Sequence, residues 1–246
     1  MALYKLNIFL IEEKVPFLNL PITGGAAYHI INVLKASEGD EIDIGTQNGP
    51  TGKAILSSIT GEELKLVIKW NENHTNDLYP VVLLVGLSRP QTCRKILEQA
   101  SALGVNRIDF FISDKSEPSY RESRLWKTNE WREKIIKGTE QAFSTFIPDC
   151  DVWNSLEECT SQLKSNSLRF AFDNYESVQT LEGLKSWKGR QHYTVAVGAE
   201  RGWSNQERTF LRENEFSLLS MGPRVLRQET AVVVALGQVM SQFWKP

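Results

Sequence analysis

Apolar positions along this chain follow two different periods. Before Trp70 they come in short runs broken by turn signals: residues 6–11 are apolar, 41–44 alternate polar with apolar, and 53–59 and 64–70 flank Thr60-Gly61-Glu62, a compact hairpin connection. Asn48-Gly49-Pro50 marks another turn. One helix is expected among these strands, capped by Thr23, with Tyr28, Ile30, Ile31 and Leu34 at helical spacing and Gly39 as its stop. Short strands with one helix predict a small β-barrel over residues 1–72. The polar stretch 71–79, which ends at Pro80, predicts a linker to a second domain over 78–246.

From Val81 the pattern changes to strand and helix in alternation. Residues 81–87 are a near-continuous apolar run, as in a strand covered on both faces. Ile96, Leu97, Ala100 and Leu103 share one face of a helix that Gly104 ends. Residues 107–112 predict a strand, 126–143 a helix with Trp131, Ile135, Ile136 and Phe143 as its apolar stripe, and 168–172 and 193–197 further strands. Weaker helical segments are expected near 156–163 and 178–187. This alternation predicts βαβ units and a mostly parallel sheet. The last helix, 229–240, is apolar around most of its circumference. Burial in its own domain and burial against a second subunit both satisfy such a pattern.

Composition narrows the function classes. In 246 residues, 41% hydrophobic and 24% charged side chains exclude wholesale disorder. A balance of 28 Lys plus Arg against 30 Asp plus Glu, net −2, excludes a histone-like nucleic-acid binder but not a local basic face. Lys115, Arg121, Arg124, Lys127, Arg132, Lys134 and Lys137 stand against Glu117, Glu122, Glu130 and Glu133, a modest cationic excess. Such a run most often forms a solvated face; an RNA-facing surface is the sharper reading. Three cysteines without a C-x-x-C pair and three scattered histidines give no expectation of a disulfide framework or a metal site. The apolar run near the N-terminus is too short for a signal-peptide core, and no run approaches a membrane span, so a soluble, cytoplasmic protein is expected.

Two glycine-bearing turns are candidates for chemistry. Val197-Gly198-Ala199-Glu200-Arg201-Gly202-Trp203 leaves a strand and enters a helix that Ser204 is placed to cap. Met221-Gly222-Pro223-Arg224-Val225-Leu226-Arg227-Gln228-Glu229-Thr230-Ala231 repeats the arrangement after a short strand at 218–220. Ligands of open α/β sheets bind outside the carboxyl ends of strands, where such turns lie. Either turn alone is as well explained by structure.

Their order and wording carry a resemblance. The pair is similar to the motifs G-P-E-G-G-F/L/W and L-G-P-R-I/V-L-R-T-E-T-A of the bacterial 16S ribosomal RNA uridine-N3 methyltransferases, in the SPOUT superfamily. His29-Ile30-Ile31-Asn32-Val33-Leu34-Lys35 with Gly39-Asp40-Glu41 resembles the family's H-x-x-x-V-L-R…G-D. Leu103-Gly104-Val105 with Ser113-Asp114-Lys115-Ser116, and residues 131–141, parallel two further signatures, so the resemblance spans nearly the whole chain.

The resemblance implies an α/β protein with an N-terminal PUA-like β-barrel that handles RNA. It implies a C-terminal SPOUT domain with a parallel sheet and a trefoil knot, paired as a homodimer through that domain. It implies S-adenosylmethionine bound by Leu87, Val197, Gly198, Ala199, Glu200, Gly202, Leu219, Met221, Gly222, Val225 and Leu226. Arg227 is the first catalytic candidate, as a planar cation for the uracil anion, with Glu200 as its orienting or hydrogen-bonding partner. His29, Lys35, Lys115, Arg201 and Arg224 are candidates to meet RNA, although a packed histidine is the simpler reading of His29. Trp203 and Tyr120 are candidates to stack on bases, with plain packing the commoner fate of such rings. N3 lies on the pairing edge, so the target uridine must be unpaired or flipped.

The chain leaves the family pattern at several positions. After Glu140-Gln141 the family continues S/C-G-R-x-R-V-P; here Ser144 and Phe146 stand at the two arginine positions. Ala199 replaces the motif proline and Arg201 the first glycine of the pair. The sequence therefore predicts an S-adenosylmethionine-dependent RNA methyltransferase acting on ribosomal RNA or a small-subunit particle. Its alternatives are a paralogue with a changed RNA target and a non-catalytic RNA-binding or assembly protein on the same fold. A nucleotide-binding enzyme of another kind is disfavoured by the lack of a G-x-G-x-x-G or P-loop.

Overall fold

A computed structural model describes residues 7–72 and 74–244. The chain divides into two compact units, Met1–Asp77 with Thr139–Ile147, and Leu78–Gly138 with Pro148–Pro246.

In the first unit, strands β1 (Phe9–Ile11), β2 (Phe17–Pro21), β3 (Glu41–Thr46), β4 (Thr51–Ile59) and β5 (Glu63–Trp70) form one sheet in the order β1-β3-β4-β5-β2. The expected barrel is a curled half-barrel, with β1 and β2 at its two edges. Alternate residues face inward, and Ile42, Ile44, Ala54, Leu56, Leu64, Leu66 and Ile68 are buried with Ile30. The hairpin over 60–62 and the turn at Asn48 are present, the latter with φ +56°. The expected strand at 6–11 is β1; its first residue, Leu6, lies outside the described residues. β2 was not anticipated, because Phe17-Leu18-Asn19-Leu20-Pro21 is an edge strand with weak alternation.

The helix of this unit differs from expectation. α1 (Gly25–Tyr28) has Gly24 as its N-cap, not Thr23, and makes no side-chain capping bond. It passes into a π-helical turn over His29–Val33, then ends at Lys35, which holds φ +53° before Gly39 is reached. The wider π turn moves the apolar positions off one stripe: Ile30 is buried, whereas Tyr28 and Val33 are exposed.

Among its described residues the second unit holds seven strands, all parallel: β6 (Tyr79–Gly86), β7 (Val105–Phe111), β8 (Asp149–Trp153), β9 (Leu168–Phe172), β10 (Gln179–Thr180), β11 (Tyr193–Val197) and β12 (Phe216–Ser220). Their order is β10-β12-β9-β11-β6-β7-β8. Central β11 is buried along its full length, which explains its unbroken apolar reading. Helix α2 (Pro90–Ala102) begins with proline in its first turn and buries Ile96, Leu97 and Ala100, as its spacing predicts. Helix α6 (Asn205–Glu213) starts at a capping box in which Ser204 and Glu207 bond each other's backbone.

Three helical expectations change here. The single helix over 126–143 is two, α3 (Arg124–Lys127) and α4 (Glu130–Gln141), and Phe143 lies beyond the second at φ +57°. The Thr128-Asn129 break between them has extended backbone at Thr128. The segment near 156–163 contains only the short α5 (Leu156–Thr160). The segment 178–187 is not an α-helix; it forms edge strand β10 and a single 3-10 turn over Leu181–Gly183. The last helix, α7 (Gln228–Met240), buries Ala231, Val232, Ala235, Leu236, Val239 and Met240 within its own chain.

Candidate active site at the carboxyl ends of the strands

In the strand order, β6 is flanked by β7 on one side and β11 on the other, so connections leave in opposite directions and open a crevice at the strand ends. One cleft lies there. It is lined by Phe172, Asp173, Asn174 and Tyr175 after β9, by residues 197–203 after β11, and by Met221, Val225, Leu226, Gln228 and Ala231 after β12.

Backbone close approach shapes the cleft. A Cβ on Gly86, the last residue of β6, would lie 2.4 Å from the Ala199 backbone nitrogen, so only glycine lets the two loops touch. Gly202 takes φ +70°, which closes the turn with its N–H donating to the Ala199 carbonyl at 2.8 Å. The loop is also braced from below. Lys115 Nζ donates to the carbonyls of Arg201 and Trp203 at 3.2 and 2.7 Å, and the Ser204 hydroxyl donates to Asp114 at 2.5 Å. The Ser113-Asp114-Lys115-Ser116 turn thus supports the glycine loop, and the Lys115 ammonium is engaged there.

Gln228 joins the site at its centre. Its amide Nε2 donates to the carbonyls of Gly86 and Gly198, both at 2.7 Å, and its oxygen meets the Ser88 hydroxyl. With 5% of its surface exposed, Gln228 ties the loops after β6 and β11 to the first turn of α7. No pattern in the chain points to this role, because a glutamine beside Arg227 reads as a surface residue.

The loop after β9 was also missed. Asp173 and Arg208, 3% and 5% exposed, form a two-pronged ion pair, and the Arg208 guanidinium lies 5.5 Å from the centre of the Tyr175 ring. Burial works against ionisation of Asp173. The Arg208 bonds, with backbone N–H donors from Tyr175 and Glu176, outweigh it and hold the carboxyl below its ordinary value. Tyr175 is 74% exposed yet lines the cleft.

Of the expected cofactor residues, Val197, Gly198, Ala199, Glu200, Gly202, Met221, Val225 and Leu226 line the cleft. Leu87 and Leu219 are fully buried and not in its lining; Gly222 adjoins Met221 at φ +110°. Glu200 receives a hydrogen bond from the Thr92 hydroxyl at 3.3 Å and faces Arg89 at 3.7 Å, an arginine not singled out by its sequence. Arg201, Arg224 and Arg227 are exposed. Trp203 is not available to a base: it is 1% exposed, stacks on Phe111 at 5.9 Å and donates to the Phe172 carbonyl. Its large ring fills the space behind the glycine loop. His29 is partly buried in the π turn of the first unit, and Lys35 is exposed beside it.

The cationic segment is more neutral than its sequence count. Lys127 pairs with Glu122, Lys134 with Glu98, and Arg124 approaches Glu130, which also holds Arg94.

Residues 74–240 match the RNA methyltransferase domain family, and residues 22–69 match the RNA methyltransferase PUA domain. The chain belongs to the RNA methyltransferase family. Ribosomal RNA small subunit methyltransferase E of Treponema pallidum is 32% identical over 224 residues, 88% of this chain and 84% of that protein. Ribosomal RNA small subunit methyltransferase E 1 of Borreliella burgdorferi is 25% identical, covering 94% and 95% of the two chains. The fold is shared with the Neisseria gonorrhoeae enzyme of that name crystallised with S-adenosyl methionine, at TM-score 0.78 and 21% identity over 97% of this chain and 98% of that one. It is shared equally with a Legionella pneumophila protein in complex with the cofactor, at TM-score 0.79 and 22% identity, covering 96% and 97%.

Proposed function

We propose that this chain methylates N3 of a uridine in small-subunit ribosomal RNA, using S-adenosylmethionine held in the cleft at the strand ends. The observation that carries the reading is the convergence on one cleft of both motif turns, in a chain of RNA methyltransferase sequence. The relatives' names supply the substrate class.

The residues present fit the cofactor. Gly202, in the cleft wall, leaves room for backbone to approach a ligand, Val197, Met221, Leu226 and Ala231 offer apolar walls to an adenine, and Tyr175 offers a ring to stack on it. When bound, the cofactor supplies the methyl group and its own leaving group. The protein's tasks are then positioning and electrostatics. Uracil N3–H must lose its proton to solvent, leaving negative charge over N3, O2 and O4. Arg227, a charged fork at the mouth of α7, stabilises that charge. Glu200, held by Thr92 and Arg89, is placed to accept hydrogen bonds from a ribose or to orient an arginine. Arg224 and Arg201 serve phosphate contacts.

The reading extends to a homodimer completed through the C-terminal unit, to a knotted path of the strand-end loops, and to a cytoplasmic setting. The half-buried Val233 and Val234 of α7 support the first as a surface for a second copy. The test is transfer of labelled methyl to undermethylated small-subunit RNA or particles, followed by nucleoside analysis. N3-methyluridine is expected; none at saturating cofactor, from free RNA or particle, overturns the reading in favour of an RNA-binding or assembly role.

A further inference from the structure

Residues 139–147 leave the second unit's sequence range and join the first. The Thr145 hydroxyl donates to the Gly49 carbonyl at 2.6 Å, the Asn48 N–H to the Thr145 carbonyl at 2.7 Å, and the Ile147 N–H to the Asn48 side chain at 2.8 Å. The segment is thereby fixed against the β3–β4 turn. Beside it lies a cavity of about 240 Å³, lined by Thr51, His74, Thr75, Asp77 and residues 143–146. This is smaller than the roughly 300–1,000 Å³ of drug-sized ligand sites.

Its lining sets stacked aromatic rings beside a carboxylate. The His74 and Phe146 rings are stacked, 6.3 Å between centres and 18° from parallel. The Asp77 carboxylate is fixed on one side by the Ser144 hydroxyl, which donates to Oδ1 at 2.7 Å and accepts the Phe146 N–H at 3.1 Å. Among the described residues, Oδ2 and the remaining lone pair of Oδ1 are left to accept two donors from a ligand. Flat rings bind any nucleobase by stacking, whereas an oriented carboxylate selects a base edge that presents only donors. Among the bases, guanine offers N1–H and N2–H₂ together. The two positions where the family pattern has arginines are Ser144 and Phe146, so here stacking and a carboxylate stand in place of phosphate-binding charge.

We propose that this pocket holds an unpaired guanine of the RNA substrate, stacked on His74 and Phe146 and read by Asp77. The assignment rests on the RNA methyltransferase reading for its ligand class, but the pocket belongs to the first unit and the cofactor cleft to the second.

The test uses the full chain and fluorescence anisotropy with 5′-labelled octauridine and its counterpart carrying one central guanine or adenine. The guanine oligonucleotide is expected to bind about tenfold tighter than octauridine, with a shallow salt dependence. His74→Ala, on an exposed residue, removes about tenfold from that affinity. Asp77→Asn keeps an acceptor for Ser144 but presents a donor, so preference moves from guanine towards adenine, which pairs with a carboxamide. A merely structural Asp77 would not change base preference. Equal binding of the three oligonucleotides, or an unchanged preference in both variants, overturns the proposal. Calorimetry with S-adenosylhomocysteine separates the two readings: guanine preference without cofactor binding overturns the methyltransferase reading and leaves the pocket standing, and the converse does the reverse.

Discussion

Asp173 receives Nε and Nη2 of Arg208 at 2.8 and 3.2 Å, and this buried pair fixes the loop that carries Tyr175 to the rim of the cleft at the strand ends. The pair ties the end of β9 to α6, since Asp173 follows β9 and Arg208 lies in α6. Removing the carboxylate leaves the buried Arg208 with only its longer contacts to Glu176 at 3.7 Å and Asn205 at 3.3 Å, so Asp173→Asn should cost about 3 kcal/mol. The depressed carboxyl gives the pH sign. Its contribution is complete above the unfolded value of about 3.9 and is lost as pH falls through the lower folded value. Urea unfolding should show a constant gap between wild type and variant above about pH 5, closing below about pH 4. A gap that persists undiminished in acid refutes the linkage.

Tyr175 should report on the cofactor without affecting the fold. Its ring is exposed, so Tyr175→Ala is expected to leave the melting temperature nearly unchanged. S-adenosylhomocysteine affinity should fall about tenfold if the ring stacks on adenine, and Tyr175→Phe should restore it. Calorimetry decides; equal affinity in all three proteins removes Tyr175 from the site.

Gln228 supplies donors for two backbone carbonyls on the touching loops after β6 and β11. Gln228→Ala removes the Gly198 carbonyl's amide donor and leaves the Gly86 carbonyl with the Ser88 hydroxyl at 3.2 Å, an expected loss of about 1–3 kcal/mol. Both stability and cofactor affinity should fall together, because the same bonds set the spacing of the loops. A variant that melts normally and binds S-adenosylhomocysteine normally shows that the loops hold their places unaided.

Arg227 is exposed at the N-cap of α7, so its replacement tests chemistry with little structural cost. Arg227→Ala is expected to reduce methyl transfer by about 100-fold or more while leaving stability within about 0.5 kcal/mol and cofactor affinity unchanged. Single-turnover transfer measured beside calorimetry separates these effects, and unimpaired transfer excludes the assigned role.

The sequence by itself determined strands β6, β7, β9, β11 and β12 and helices α2 and α7, but not β8 or β10, because a strand covered on both faces and an amphipathic helix carry different apolar periods. It also determined where the motif turns lie, since Gly202 and Gly222 hold positive φ and Gly198 packs against Trp203. Local pattern failed where partners are distant. Helix α1 passes into a π turn, 178–187 became an edge strand with a single turn, and Trp203 turned inward behind its loop. Only the tertiary structure could join Asp173 to Arg208, or Gln228 to the carbonyls of Gly86 and Gly198, because those pairs are 35, 142 and 30 residues apart in the chain. The same holds for Ser144 and Phe146. In sequence they are two missing arginines; in the fold, bonded to Asp77 and stacked on His74, they wall a pocket. A side chain's period follows from its neighbours in the chain, but its hydrogen-bond partner is chosen by packing.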